Sequence, residues 1–130
     1  MKKEKRFDMF QQAQKPAWYL VALERLLTFF WLGFEKVFKG FKLDKSETKH
    51  LKGPVLCLSN HASMIDMPIA VAALTPLKTT WVAAIEEFDG KEWLFRKMGI
   101  IPKRKFTHGT VTVKHMIRAV TKNKVTITMY

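Results

Sequence analysis

The sequence predicts an α/β domain with a largely parallel sheet, preceded by a helical segment that lies in a membrane interface. Three observations predict it. From Pro54 onward, apolar runs of strand length alternate with stretches of helical spacing, in the order strand-helix-strand-helix-strand-helix-strand. The chain has 130 residues, 48% of them hydrophobic, enough for one core and at most one domain. Ahead of the alternating region, Ala17 to Phe41 is apolar around most of its circumference.

Residues 1–15 are polar and basic and read as a solvated arm. Residues 16–42 read as a docking region, a helix or two short helices. Glu24, Arg25, Thr28, Glu35, Lys36 and Lys39 recur at helical spacing as a narrow polar stripe, and Trp18, Phe30 and Trp31 lie among the apolar positions. A membrane span needs roughly 20 mostly apolar residues, and Glu24 and Arg25 fall inside the only candidate window. An interfacial helix fits better, with aromatics immersed and Lys36, Lys39 and Lys42 at the headgroups. The competing reading is an ordinary core helix packed on the sheet. The long polar lead argues against a cleaved signal peptide. Residues 43–53 are a charged linker, and residues 54–130 form the α/β domain.

Within that domain, Gly53-Pro54 punctuates the start of a strand ending at Leu58. A helix follows from about Pro68 to Leu74 and stops at Thr75-Pro76. Thr79 to Ile85 is a second strand. Phe88 to Met98 has helical spacing through Trp93, Leu94 and Met98, with Gly99 as its stop and Glu86-Glu87 as its cap. Ile100-Ile101-Pro102 is a short extended piece. Thr107 to Lys122 is an amphipathic helix with Val111, Val113, Met116, Ile117 and Val120 apolar. Lys124 to Tyr130 alternates Val125, Ile127 and Met129 with threonines, the period of a half-buried strand.

The net charge of +12 points to anionic partners: a phospholipid surface, a phosphorylated substrate or nucleic acid. No zinc-ligand pattern, glycine-rich phosphate loop or other nucleic-acid motif accompanies the charge, so nucleic acid and metal are not expected. The single cysteine, Cys57, excludes an intramolecular disulfide and reads as a small core residue.

Ligands of a parallel α/β sheet bind beyond the carboxyl ends of the strands. Those ends carry His61 after the first strand, Glu86-Glu87 after the second and Lys103-Arg104-Lys105 after the third. His61 and Asp66 are five positions apart, which on one regular helix separates them by about 140°. They meet only if His61 lies in the turn and Asp66 near the helix start, and Pro68 is compatible with a first turn. Asp66 then orients the imidazole and stabilises its charged form, leaving the other nitrogen as a general base. Ser63-Met64-Ile65-Asp66 also matches a capping box. The residues alone leave catalysis and capping both open, as they leave the basic triplet open between a phosphate clamp and a solvated turn.

The stretch Asn60-His61-Ala62-Ser63-Met64-Ile65-Asp66-Met67-Pro68 resembles the signature block of the glycerolipid acyltransferases, the family of bacterial 1-acylglycerol-3-phosphate acyltransferases, with every fixed position of N-H-x-S-x-x-D present. Ala83 to Glu87 followed by Leu94 to Arg104 looks like the family's second block, and the hydrophobic N-terminal segment looks like its membrane-docking helices. The resemblance implies that His61 takes a proton from a glycerol hydroxyl, whose oxygen attacks the thioester of acyl-CoA or acyl-carrier protein, with no further cofactor. It implies a lysophospholipid acceptor, Arg104 first among the phosphate ligands with Lys103 and Lys105 beside it, and Asn60 and Ser63 shaping the turn. It also implies residence on the cytoplasmic face of the cell membrane, as a peripheral or monotopic protein. The alternative is a non-catalytic lipid-binding domain on the membrane surface. The family's third block, an aromatic-Pro-Glu-Gly-Thr-Arg-like loop, is not found after Tyr130. The expectation is therefore an incomplete family fold, weakly active or inactive alone, with its last strand presenting an unprotected edge or apolar face.

Overall fold

The computed structural model describes residues 8–11, 14–60, 63, 66–106 and 109–130. A helix α1 (Trp18–Lys39) leads into β1 (Leu56–Leu58), α2 (Asp66–Leu74), β2 (Thr79–Ala84), α3 (Glu92–Lys97), β3 (Ile101–Lys103), α4 (Thr110–Thr121) and β4 (Thr126–Met129). The four strands are all parallel, in the order β1-β4-β2-β3. Right-handed crossovers put α2 and α3 on one face and α4 on the other, and α1 packs on α2.

The core lies on both faces of the sheet. Ala83, Phe88 and Ile100 pack with Trp81, Phe95 and Met98 on the α3 side. Ile101, Ala119 and Ile127 pack with Val82, Met116 and Val120 on the α4 side. Consecutive strand residues therefore serve opposite layers, as the pleat requires.

The last strand differs from expectation. β4 is neither an edge nor half-buried. It pairs with β1 on one side and β2 on the other, and Val125 to Thr128 are all buried. Its threonines tolerate this because their hydroxyls bond to backbone: Thr126 accepts from the Val55 N–H at 3.2 Å, and Thr128 donates to the Thr80 carbonyl at 3.1 Å. The edges among the described residues are β1 and β3. Pro102 sits in β3, where an edge strand tolerates the missing N–H.

The helix expected over Phe88 to Met98 is split. A 3-10 turn at Ile85–Phe88 and a turn at Asp89-Gly90 precede α3. Glu86 and Glu87 belong to that 3-10 turn and do not cap α3, whose start at Lys91 has no side-chain cap. Gly99 ends α3 as expected, with φ of 74°, donating to the Arg96 carbonyl at 3.0 Å. A Cβ there would also lie 2.9 Å from the Gln14 carbonyl oxygen and from Pro16 Cγ. The amphipathic reading of α4 holds in part: Thr112, His115 and Ala119 are its buried positions, whereas Val113 and Ile117 are exposed.

The described part of the N-terminal arm is largely exposed, with Met9 buried and its backbone tied to the domain. Arg96 donates to the Asp8 carbonyl at 2.7 Å, His115 Nε2 lies 2.8 Å from the Met9 carbonyl, and Ala17 N–H donates to the Lys97 carbonyl at 2.9 Å. These bonds strap the lead of α1 across α3 and α4.

The two faces of α1 are inverted relative to a helix covering a water-soluble core. Its buried positions are Thr28 and Glu35. Arg25 also points to the protein, donating to the carbonyls of Pro76 and Leu77 at 2.7 and 3.1 Å. Glu35 is paired with Lys39 at 2.9 Å. Trp18, Phe30 and Trp31 are 78%, 65% and 55% exposed, with Leu26, Phe34, Val37 and Phe38 exposed as well. Arg25, Thr28 and Glu35 of the polar stripe thus form the docking seam, Lys36 and Lys39 stay exposed, and most of the apolar face is left outward. No helix of the described residues is long and apolar enough to cross a membrane.

Candidate functional site

Because the strands are parallel, one side of the sheet collects all their carboxyl ends. β1 leads there into Ser59 and Asn60, β4 into Tyr130, β2 into Ile85 and Glu86, and β3 into Arg104. Ser59 prolongs the β1 pairing by donating its N–H to the Met129 carbonyl at 2.9 Å. The turn after β1 therefore leaves from anchored backbone.

α2 is described from Asp66, two positions ahead of the start expected at about Pro68, which puts the proline in its first turn. The Ser63 N–H donates to Asp66 Oδ2 at 2.8 Å, and the Asp66 N–H donates to the Ser63 carbonyl at 3.1 Å. This is the carboxylate half of a capping box, formed at the positive end of the helix dipole. His61 lies outside the described residues, as do Ala62, Met64 and Ile65. Its flanking residues Asn60 and Ser63 are exposed at the mouth of the turn.

Lys103, Arg104 and Lys105 are exposed at the end of β3, on the opposite edge of the sheet from β1. β4 and β2 lie between, so three strand spacings, about 14 Å, separate the two ends. Strand ends are brought to one side of the sheet, but the triplet and the Asn60-to-Asp66 turn are not adjacent.

Two groups near Asp66 were missed as site residues. Tyr130 follows β4 on the face shared with α2, and its hydroxyl pKa is pushed up by burial, opposed by a hydrogen bond with Thr128 and reinforced by the charges of Asp66, Cys57 and Glu24. Glu24 is pushed up to about 7, by burial against the pull of Arg25. Its signal was present in the sequence as an acid inside an apolar helix, where it reads as part of the polar stripe and as an argument against a membrane span. Glu24 lines an apolar cavity of about 370 Å³ with Leu27, Met67, Pro68, Trp81, Leu94 and Met98. That cavity opens beside the first turn of α2, next to Asp66. No group of three or more His, Cys, Asp or Glu poised to hold a metal occurs among the described residues.

Residues 40–130 match the model of the family described as Acyltransferase, 91 of the 130 residues of the chain. The chain belongs to the Acyltransferase family. Membership makes it a transferase whose reaction moves an acyl group. In this Acyltransferase domain the matched region covers the whole sheet, the Asn60-to-Asp66 turn and the basic triplet, and leaves out α1. No curated protein and no solved structure matches the chain.

Proposed function

We propose that the protein transfers a fatty acyl group from acyl-CoA or acyl-carrier protein to the free hydroxyl of a lysophospholipid, first of all 1-acylglycerol-3-phosphate. The observation that carries this reading is the N-H-x-S-x-x-D stretch, Asn60 to Asp66, at the carboxyl end of a parallel strand inside the matched region. His61 takes the hydroxyl proton as the oxygen forms its bond to the thioester carbonyl carbon. The tetrahedral adduct collapses, the carbon–sulfur bond breaks, and the imidazolium returns the proton to the leaving thiolate. Asp66 orients His61 and stabilises its charged form. Asn60 and Ser63 shape the turn beside the substrate.

The acceptor sits over the carboxyl ends of the strands, its hydroxyl turned to the β1 side and its phosphate, only a few bonds away, met by Arg104 reaching inward from β3 with a bidentate guanidinium between Lys103 and Lys105. The cavity walled by Glu24 takes the acyl chain of the donor. The outward apolar face of α1, with Trp18, Phe30 and Trp31, seats the enzyme as a peripheral protein on the anionic cytoplasmic leaflet, which the charge of +12 favours.

The test is turnover of lysophosphatidate with acyl-CoA. His61→Ala lowers kcat by about 10²–10⁴-fold while binding to anionic liposomes is unchanged. Equal turnover in the variant removes His61 from the mechanism.

A further inference from the structure

The second and larger cavity belongs to neither the strand-end site nor the outward face of α1. It is an open groove of about 790 Å³ between α1, the segment after it and the far end of α2. This volume is within the roughly 300–1,000 Å³ typical of ligand pockets. Phe29, Leu32 and Gly33 of α1 form one wall and Phe41 and Leu43 the other, over a floor of Val71 and Ala72. The floor residues lie five and six positions beyond Asp66, about 8–9 Å along the axis of α2. Thr28 and Val71 line both cavities and divide them.

Two features give the groove a ligand. The first is charge: Arg25, Lys36 and Lys42 line it, and among the described residues no acidic side chain does. Arg25 is held in place by the carbonyls of Pro76 and Leu77, whereas Lys36 and Lys42 are exposed at the rim. An apolar trough with a cationic rim is complementary to an anionic amphiphile. The second is Gly33. A mid-helix glycine costs roughly 0.5–1 kcal/mol relative to alanine, and here a Cβ would meet nothing within 4 Å. No neighbouring atom demands the glycine; what it does is leave the trough open.

We propose that this groove holds one acyl chain of an anionic membrane phospholipid, its phosphate against Lys36 and Lys42. The site is separate from acyl transfer and does not rest on that reading. It deepens the membrane reading by adding a held lipid to the apolar contact of α1. Phe29, half in the groove and 73% exposed, connects the two surfaces.

Native mass spectrometry of the full chain in a non-ionic detergent, with added phosphatidylglycerol or phosphatidylcholine, tests it. Wild type carries one phosphatidylglycerol and little phosphatidylcholine. Gly33→Phe fills the trough and weakens phosphatidylglycerol binding about tenfold or more, and Lys36→Glu with Lys42→Glu does the same without changing phosphatidylcholine. Gly33→Leu is the smaller variant should phenylalanine prevent folding, with circular dichroism as the check. Cosedimentation with phosphatidylglycerol vesicles stays near wild type in the Gly33 variants, because the outward aromatics are untouched; that measurement separates loss of the groove from loss of docking. Undiminished phosphatidylglycerol binding in folded Gly33→Phe or Gly33→Leu overturns the proposal, and so does equal retention of the two lipids by wild type.

Discussion

Asp66 caps α2 through the Ser63 N–H, and one substitution separates that role from the orienting role proposed for it. Asp66→Asn keeps a carbonyl oxygen able to accept the Ser63 N–H, so the start of α2 survives, while the negative charge proposed to stabilise the His61 imidazolium is lost. The expected result is a fall in kcat of about 10²-fold or more with a melting temperature near wild type; a parallel loss of both would make Asp66 a cap alone. Glu24 behaves differently because it lies in apolar surroundings. Its carboxyl titrates near pH 7 in the fold against an ordinary 4.5. Between those values the folded state binds more protons than the unfolded chain. The stability tied to protonated Glu24 is thus complete below about pH 4.5 and is lost as pH rises through 7. Glu24→Gln abolishes this loss and is the more stable protein at pH 8, by on the order of 1–3 kcal/mol. Thermal melts of both proteins at pH 5 and pH 8 check this, and parallel pH profiles contradict it.

At the scale of elements, α1 shows what was legible and what was not. Its helical spacing and its apolar breadth follow from residue order alone. Which side faces the protein does not, because that is decided by the carbonyls of Pro76 and Leu77, which are 51 and 52 positions beyond the Arg25 that they hold. Replacing Trp18, Phe30 and Trp31 with polar residues should weaken cosedimentation with anionic liposomes at least about tenfold, by removing immersed apolar area, and leave the melting temperature within a few degrees. A large drop in melting temperature with liposome binding retained would mean that these rings pack on protein. Strand and helix order, the start of α2 and the stop at Gly99 were all readable, since each depends on neighbours within a turn. β4 misled because alternating threonines look like a solvated face, although their hydroxyls are satisfied on backbone inside the sheet. The Ser63–Asp66 cap in the signature stretch was legible from spacing, whereas the surroundings of Tyr130 and Glu24 were not, being assembled by tertiary packing.

For the whole molecule, the strand order sets how far apart the chemistry is spread. It places the Asn60-to-Asp66 turn and the basic triplet at opposite edges of one parallel sheet. The free hydroxyl and the phosphate of the proposed acceptor are only a few bonds apart, so Arg104 serves it only by reaching inward from the β3 edge; Arg104→Ala should then raise the KM for the phosphorylated acceptor about tenfold and leave the KM for the acyl donor nearly unchanged. Equal changes in both would assign Arg104 to folding. Residue order does not show this spread, because periodicity identifies strands without saying which lie side by side.

The same strand order has a consequence in time. β4 is made last of the four strands, yet it is the one between β1 and β2. While the chain is being synthesised, β1 has no neighbour with which to pair, and the facing edge of β2 stays open until residues 126–129 emerge. The sheet therefore closes by late insertion, across a separation of 71 positions between Leu56 and Ile127, the kind of long-range pairing that folds slowly. During that wait the apolar face of α1 has already left the ribosome, so the membrane surface proposed for it is open to contact before the domain behind it has formed.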